Sequence, residues 1–203
     1  MTKRIISNLI DSNVFVVSKD DECVIFDAGA DLDILKDAIG DKKVLAVFLT
    51  HGHYDHAYYA LEYSKTFDCK IYCSEFAKEY LENPDFNYSE GYFKITDFDK
   101  FEFLTGEGAL KLGGLVVEFK QLGGHSKGDM CFKVDNEIFV GDVLIGRDIG
   151  RLDLYGGDKN EMLKSLQFLS DENYSVMHSG HGADNEKASQ DKVIKLWQKF
   201  LSR

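Results

Sequence analysis

Five of the six histidines in this 203-residue chain lie in three short clusters, and each cluster also contains glycine or aspartate. In chain order the clusters read Thr50-His51-Gly52-His53-Tyr54-Asp55-His56, Gly123-Gly124-His125-Ser126-Lys127-Gly128-Asp129 and Ser179-Gly180-His181-Gly182. A Gly141-Asp142-Val143 step lies between the last two. Imidazole and carboxylate groups without thiolate suit zinc, iron or manganese. Seven potential ligands are enough to hold two divalent ions, so we expect the fold to bring these segments together.

The first cluster follows a continuous apolar run over residues 44–49, which is typical of a strand buried on both faces. Residues two apart in an extended segment point the same way, so His51 and His53 can reach one ion together. Asp55 and His56 lie where the chain is predicted to enter a helix, from which they can turn toward a second ion. This spacing differs from the helical His-Glu-x-x-His pattern.

The remainder of the chain alternates between strand-like and helical segments, which indicates a layered α/β protein. Predicted strands cover residues 4–10, 13–18, 23–27, 44–50, 70–73, 101–104, 115–122, 130–134, 138–140 and 175–177. Predicted helices cover residues 32–39, 57–67, 74–82, 159–169 and 186–201. Asp135-Asn136-Glu137 is typical of a hairpin turn. Residues 83–99, rich in aromatic and acidic side chains, are predicted to form a long surface loop that can flank the site.

Taken in this order, the motifs resemble those of the metallo-β-lactamase-fold hydrolase superfamily, with Phe26-Asp27-Ala28-Gly29 as the first of five. Residues 149–158, which follow the Gly-Asp step, resemble the compact hydroxyacylglutathione hydrolase-like, or glyoxalase II-like, proteins. The resemblance implies an αββα four-layer sandwich, in which two sheets lie between helices. It also implies a single domain over residues 1–203, without the additional carboxyl-terminal helical domain of the larger glyoxalase II enzymes.

The resemblance assigns the ligands of two divalent metal ions residue by residue. The first ion would be held by His51, His53 and His125, the second by Asp55, His56 and His181, with Asp142 as the bridge. Zinc is the expected metal, with iron or manganese as alternatives. A hydroxide bridging the two ions would be the nucleophile, since metal binding can lower the pKa of water to about 7. Asp55 and Asp142 are then the candidate catalytic carboxylates.

Five residues near these motifs have two interpretations each. Arg151 and Tyr155 would contact the thiol part of the substrate in the glyoxalase II-like group, and an ordinary loop salt bridge is the alternative. Asp27 is expected to stabilise a loop rather than to bind metal. His178 is expected to pack near the site. Lys127 either adds positive charge at the mouth of the site or is simply solvated.

Two of the clusters depart from the family pattern. The second cluster commonly reads Gly-His-Thr-Pro-Gly, but here Ser126 and Lys127 replace Thr-Pro, and Ser179 replaces a proline that commonly begins the third cluster. The chain has a single proline, Pro84. Both changes leave the candidate ligands in place and remove rigid turns, so we expect an effect on loop stiffness and substrate preference.

Composition restricts the partners. The net charge of −11 disfavours a nucleic-acid surface, which needs clustered Lys and Arg. The chain has no long apolar stretch of the kind that is typical of a signal peptide or a membrane helix. We therefore expect a soluble, cytoplasmic protein without a membrane partner. The four cysteines have no Cys-x-x-Cys spacing and are interpreted as reduced core thiols rather than disulfides or metal ligands. The sequence leaves the oligomeric state open.

Several functions stay open at this point. The leading hypothesis is hydrolysis of a small-molecule thioester, such as a 2-hydroxyacyl conjugate of glutathione or of another low-molecular-weight thiol. A persulfide dioxygenase-like activity would use one iron at the equivalents of His51, His125 and Asp142. Hydrolysis of a lactone or another ester is a further alternative. The last is a non-catalytic scaffold that only holds metal, which the complete ligand set disfavours.

Overall fold

Two six-stranded sheets form the centre of the structure, a computed structural model that describes residues 1–203. The first sheet has the order β1 (Thr2–Ile6), β2 (Asn13–Lys19), β3 (Glu22–Phe26), β4 (Lys43–Phe48), β5 (Lys70–Ser74) and β6 (Phe101–Leu104). The second sheet contains β7 (Glu107–Leu112), β8 (Leu115–Gln121), β9 (Met130–Val134), β10 (Glu137–Gly141), β13 (Val176–Ser179) and β14 (Asn185–Glu186), in the order 14-13-10-9-8-7. Strands β11 (Leu144–Ile145) and β12 (Asp148–Ile149) form a small separate hairpin.

Helices cover the outer faces of both sheets. Residues from α1 (Leu32–Ile39), α2 (Tyr54–Ala57), α3 (Ala60–Phe67) and α4 (Ala77–Glu82) pack in one apolar cluster with the first sheet. Residues from α5 (Lys159–Asp171) and α6 (Lys187–Leu201) pack in another with the second sheet. A third cluster, drawn from both sheets, fills the space between them. The expected αββα sandwich is confirmed.

Strand β4 shows how the sequence produces this layering. Val47 belongs to the cluster on the helix side, whereas its neighbours Ala46 and Phe48 belong to the cluster between the sheets. Successive side chains of a strand point to opposite faces, so a strand between two apolar layers must be apolar throughout. The prediction of a strand buried on both faces is therefore confirmed. The strand ends at Phe48, just before the first histidine cluster.

Aromatic rings join the two sheets below the site. Phe26 of β3 stacks on Phe139 of β10 with ring centroids 4.0 Å apart and planes at 9°. Phe48 and Phe132 approach with centroids 5.0 Å apart. All four side chains are almost completely buried. These buried, close-packed contacts hold the two sheets that carry the site in one relative position.

Replacing Phe26 with alanine is expected to lower the free energy of unfolding by about 3 to 5 kcal/mol, through lost burial and a residual cavity. Urea denaturation monitored by circular dichroism measures this change. Phe200 of α6 is 61% exposed, so Phe200→Ala is a matched control and should change stability by about 0.5 kcal/mol or less. Equal effects of the two substitutions would contradict this account of the core.

Several predicted boundaries are wrong for local reasons. The first strand ends at Ile6, because Ser7 accepts a hydrogen bond from the Leu9 N–H group and Ile10 adopts φ +54° in a turn. The helix predicted over 57–67 is α3, which starts at Ala60, and a separate short helix, α2, precedes it from Tyr54 to Ala57. The helix predicted over 74–82 starts at Ala77. The hairpin turn after β9 is confirmed, since β9 and β10 pair antiparallel.

The segment 83–99 differs from the predicted surface loop. Asn87 and Ser89 are fully buried, and Phe93 and Ile95 belong to the cluster between the first sheet and its helices. Buried polar side chains need partners, and those of Asn87 and Ser89 are hydrogen-bonded to backbone groups of the segment itself and to the Tyr80 carbonyl of α4. The segment is therefore an anchored part of the fold with exposed tips.

None of the six helices has the length and the apolar character needed to cross a bilayer. The four cysteines are buried and unpaired, as the sequence predicts, and burial raises the pKa of the Cys23 thiol to about 11.

Candidate metal centre

The histidine clusters meet at one edge of the sandwich because of strand direction. Strands β3 and β4 run parallel and lead into Asp27 and the first cluster. Strands β10 and β13 also run parallel and lead into Asp142 and His181. Strand β8, antiparallel to β9 as β9 is to β10, runs in the same direction as β10 and leads toward His125. The carboxyl ends of these strands share an edge, where loops on a rigid scaffold commonly carry function.

The first predicted group is brought together closely. His53 Nδ1 lies 3.1 Å from His51 Nε2 and 2.9 Å from His125 Nε2. All three side chains are buried. Three nitrogen atoms with lone pairs therefore face one point, the arrangement in which a cation is bound by neutral imidazoles.

The second predicted group is equally close. His56 Nε2 lies 3.3 Å from His181 Nε2 and 3.3 Å from Asp55 Oδ2, and His181 Nε2 lies 3.2 Å from the same carboxylate oxygen. Asp55 and His56 reach this point because α2 begins at Tyr54 and turns both side chains away from the extended segment before it. One carboxylate and two imidazoles form a donor set suited to a divalent ion.

Asp142 lies between the two groups. Its Oδ2 atom is 3.7 Å from His125 Nε2 and 3.5 Å from His181 Nε2, and its Oδ1 atom is 3.6 Å from His56 Nε2. The carboxylate is buried, and Oδ1 has no hydrogen-bond partner in the chain. A buried, unpaired carboxylate oxygen is costly unless a cation or donor satisfies it. The donors present therefore fit two divalent ions joined by this carboxylate.

A chain of hydrogen bonds orients the histidines of the first cluster. The Asp27 carboxylate accepts from the Thr50 N–H group at 2.7 Å, from Thr50 Oγ1 at 2.9 Å and from His56 Nδ1 at 2.9 Å. Thr50 Oγ1 in turn lies 3.1 Å from His51 Nδ1. With both Nδ1 atoms donating, the Nε2 lone pairs of His51 and His56 point into the site. Asp27 thus stabilises the loop as expected, and its hydrogen bonds also orient the rings of His51 and His56.

The local electrostatics differ between the two groups. Burial, reinforced by the neighbouring His125, lowers the pKa of His53 to about 3, so this ring is neutral. Burial also lowers the pKa of His181, but the Asp142 and Asp55 carboxylates outweigh it and raise that pKa to about 9. His53 therefore offers a neutral nitrogen ligand in the first group, whereas in the second group the positive charge of His181 balances the nearby carboxylates.

Two glycines leave space for Asp142. A Cβ atom at Gly180 would collide with Asp142 Oδ1, and a Cβ atom at Gly150 would collide with the Asp142 carbonyl and lie 2.8 Å from His125 Nδ1. Both positions therefore need glycine for close backbone approach to the site.

The His125 loop lacks the family proline and is held by hydrogen bonds instead. The buried Asp129 carboxylate accepts from the backbone N–H groups of His125 and Ser126 at 2.9 Å and from Ser126 Oγ at 2.6 Å. Tyr80 Oη accepts from the Lys127 N–H group at 3.0 Å. The His125 ring is fixed as well, since its Nδ1 atom donates to the Arg151 carbonyl at 3.1 Å. Side-chain hydrogen bonds thus provide the constraint that the sequence suggests is lost.

A cavity of about 490 Å³ opens beside both groups. Besides four residues of the first and second groups and Asp142, it is lined by Ile10, Tyr54, Tyr88, Ile145, Asp148, Ile149, Gly150, Arg151 and Leu154. A concave, mostly apolar surface with a few polar groups next to candidate metal ligands is the expected form of a small-molecule site.

The two predicted substrate-contact residues have different positions. Arg151 lines the cavity, and its guanidinium pairs with Asp153 through contacts of 3.0 and 2.7 Å. Tyr155 does not line the cavity; its ring stacks on Phe86 with centroids 3.6 Å apart. Lys127 Nζ lies 5.0 Å above the Tyr155 ring, outside the cavity. The structure therefore brings Arg151 to the site and does not bring Tyr155 there.

His178 packs below the site rather than within it. Its ring stacks on Phe139 with centroids 4.6 Å apart, and its two nitrogens lie 2.7 Å from Glu137 Oε2 and 2.9 Å from Asp184 Oδ1. It belongs to neither group of close potential ligands. The expected packing place of this residue is confirmed.

Sequence reasoning missed Tyr88, Thr50 and the apolar wall formed by Ile145, Ile149 and Leu154. Thr50 precedes the first histidine directly, and a hydroxyl beside a buried histidine is a signal that could have identified it. Tyr88 and the apolar wall have no comparable motif. The position of these side chains beside the site depends on contacts between segments that are far apart in the chain.

Comparisons with known proteins agree with this fold and site. The family model of the metallo-beta-lactamase superfamily matches residues 8–181. The probable metallo-hydrolase YqgX of Bacillus subtilis (strain 168) is 31% identical over 186 residues, which are 87% of this chain and 88% of that protein. The hydroxyacylglutathione hydrolase GloC of Haemophilus influenzae is 31% identical over 178 residues, 81% of this chain and 82% of that protein.

A solved structure also resembles the whole chain. The crystal structure of BLEG-1 B3 metallo-beta-lactamase superposes with a TM-score of 0.86 at 30% identity, covering 95% of this chain and 97% of that one. The chain belongs to the metallo-beta-lactamase superfamily. It is a metallo-hydrolase-type protein of that superfamily, whose members bind divalent metals, and its His/Asp cluster is the candidate site.

Proposed function

We propose that the protein is a binuclear metal-dependent hydrolase of thioesters, such as 2-hydroxyacyl conjugates of glutathione or of another low-molecular-weight thiol. The position of the Asp142 carboxylate supports two ions. Its oxygens lie within 3.7 Å of a nitrogen atom of His125, from the first group of ligands, and of nitrogen atoms of His56 and His181, from the second. Similarity to GloC, whose name specifies hydroxyacylglutathione hydrolysis, supports the substrate class.

In this proposal each group of ligands holds one ion. The imidazoles of His51, His53 and His125 would hold the first, the set of Asp55, His56 and His181 would hold the second, and Asp142 would bridge them. Zinc suits these donors, with iron and manganese as alternatives. When bound, the ions activate a water molecule for attack and polarise the acyl carbonyl.

The protein's own groups position the substrate and handle protons. Asp55 and Asp142 face the cavity, so these carboxylates are placed to pass the proton lost by the attacking water to the released thiolate. Water adds across the C–S bond, so a carboxylic acid and a thiol are released. The four cysteines are buried and are not required as nucleophiles.

A persulfide dioxygenase-like site is less compatible with the geometry. It would use one iron at His51, His125 and Asp142, which leaves Asp55, His56 and His181 without a cation although their ligand atoms lie within 4.8 Å of one another. Two imidazoles and one carboxylate that converge in this way form a donor set suited to a divalent ion. The second group therefore favours hydrolysis at two ions.

A substrate panel tests the proposed reaction. Protein loaded with zinc, iron or manganese is assayed for thiol release from a lactoyl-glutathione thioester, a small alkyl thioester, a lactone and an aryl ester, and for oxygen uptake with glutathione persulfide. The proposal expects kcat/KM to be highest for a thioester and no oxygen uptake. Preference for the lactone, or oxygen uptake with persulfide, would contradict it.

Arg151→Ala is expected to raise KM about tenfold for the glutathione thioester and leave kcat nearly unchanged. A guanidinium binds a carboxylate through two parallel hydrogen bonds, and a contact equally strong in the ground and transition states acts on KM. Charge-assisted contacts cover a range of energies, and we expect an effect of about tenfold, at the lower end of that range. The reason is that the Arg151 guanidinium is already paired with Asp153 and that this pair is exposed.

Two controls separate recognition from general damage. A small thioester without a carboxylate should react equally with both proteins, and Arg147→Ala, at an arginine outside the cavity lining, should change neither constant. An equal loss on both substrates, or a loss confined to kcat, would show that Arg151 does not recognise the substrate.

A further inference from the structure

Tyr88 has a backbone conformation that its residue type rarely adopts. Its φ angle is +62°, in the left-handed region, and Glu90 two residues later has φ +54°. Glycine and asparagine tolerate this region, whereas a bulky aromatic residue there is an outlier. Such conformations persist only where the surroundings impose them, and they concentrate at functional sites.

Buried polar side chains on both sides of Tyr88 impose this conformation. Asn87 Nδ2 donates to the carbonyls of Tyr80 and Phe93 at 3.0 and 3.2 Å, and Asn87 Oδ1 accepts from the Ser89 N–H group at 3.0 Å. Ser89 Oγ donates to the Phe93 carbonyl at 2.9 Å. Asn87 and Ser89 are fully buried, so the local structure holds both neighbours of Tyr88 in place.

The same segment is attached to the first histidine cluster. The Tyr54 N–H group, at the start of α2, donates to the Asn87 carbonyl at 3.0 Å. The Tyr88 ring stands edge-on to the His53 ring, with centroids 5.3 Å apart and planes at 79°. Tyr88 also lines the cavity. The strained residue is therefore fixed directly beside the candidate metal centre.

The hydroxyl of Tyr88 has one proton to donate. Its oxygen accepts a hydrogen bond from the Tyr155 N–H group, which leaves the O–H group for another acceptor. Outside the candidate metal ligands, the cavity side chains able to donate are those of Tyr54, Tyr88 and Arg151. Arg151, which is paired with Asp153, is proposed above to bind a substrate carboxylate, so the two tyrosine hydroxyls are the donors left for a further acceptor. The rest of the wall is apolar or acidic.

We infer that Tyr88 is a substrate-binding residue that donates its hydroxyl hydrogen bond to an acceptor oxygen on the thiol part of the substrate. This inference rests on the proposed thioester hydrolysis. The Tyr155 N–H group that holds the hydroxyl belongs to the same segment as Arg151 and Leu154. The inference therefore predicts that the substrate is a thioester whose thiol part carries a carboxylate or amide oxygen, rather than a thioester of a plain alkyl thiol.

Tyr88→Phe tests the hydroxyl while keeping the ring. Two thioesters with the same acyl group are compared in metal-loaded protein, one of glutathione and one of propanethiol, which has no acceptor beyond the thioester. We expect KM for the glutathione thioester to rise about three- to tenfold, with kcat nearly unchanged, and both constants for the propanethiol thioester to stay within about twofold. Tyr72→Phe is the matched control, since Tyr72 stacks on Phe48 away from the cavity, and should change neither substrate's constants.

Tyr88→Asn separates binding from a purely structural role, because asparagine tolerates the left-handed conformation. We expect the melting temperature and metal content to be retained while KM for the glutathione thioester rises at least as much as in Tyr88→Phe. Equal losses on both thioesters, or a melting temperature that falls by several degrees in both variants with unchanged KM, would overturn the inference. If the wild-type protein hydrolyses neither thioester, the proposed function itself fails, whereas thioester hydrolysis that is insensitive to Tyr88 rejects only this inference.

Discussion

Asp142→Ala is expected to abolish turnover, with kcat/KM lower by on the order of a thousandfold or more. The Asp142 carboxylate lies within 3.7 Å of His125 and His181 and 3.6 Å of His56, so its loss removes the one group shared by both proposed ions. A loss of about 4 kcal/mol of transition-state stabilisation corresponds to this factor. The same substitution should weaken metal retention.

The fold should survive this substitution, because Asp142 lies at the edge of the sandwich rather than in one of its three apolar clusters. Circular dichroism and metal analysis after gel filtration are measured on the same preparation. Asp142→Asn is the closer control, since it keeps the shape and removes the charge. Wild-type activity in a variant with checked metal content would remove Asp142 from the site.

Removing the metal is the second change with a large expected effect. Dialysis against a chelator should reduce hydrolysis to background and lower the melting temperature by about 10 °C. A ligand present at about a thousand times its Kd stabilises by about 4 kcal/mol, and each kcal/mol shifts the melting temperature of a chain of this size by about 2 to 4 °C. Since metal binding contributes to folding stability, removing the ions from these converging ligand atoms should lower the melting temperature.

Adding back zinc, iron or manganese separately should restore both the melting temperature and the hydrolysis, which distinguishes metal loss from irreversible damage. His178→Gln is a useful comparison, because His178 belongs to neither group. Its melting temperature should still respond to the chelator by the same amount. Full activity and an unchanged melting temperature in demonstrably metal-free protein would contradict a metal-dependent reaction.

The parts of the fold and site that depend on short motifs could be predicted from the sequence. The apolar run of β4 determines that the strand is buried on both faces, and the His51-x-His53 spacing places two rings on one side of an extended segment. The predicted ligands come from four separate segments, and strand direction brings them to one edge.

Features that depend on long-range contacts could not be predicted in the same way. Strand β7 is mostly exposed and has no clear alternation, so only its pairing with β8 identifies it. Asn87 and Ser89 look like surface residues in the sequence, but their hydrogen bonds allow complete burial. Tyr155 follows Arg151 closely in sequence, yet stacking on Phe86 directs it away from the cavity.

The most direct test of the two-metal proposal is a crystal structure of the metal-loaded protein, with anomalous scattering measured at the metal absorption edge and ions per chain counted by elemental analysis. The account predicts two ions per chain, one contacted by His51, His53 and His125, one by Asp55, His56 and His181, and both by Asp142. A fully loaded protein with one ion, in contact only with His51, His125 and Asp142, would contradict it and favour the dioxygenase-like chemistry.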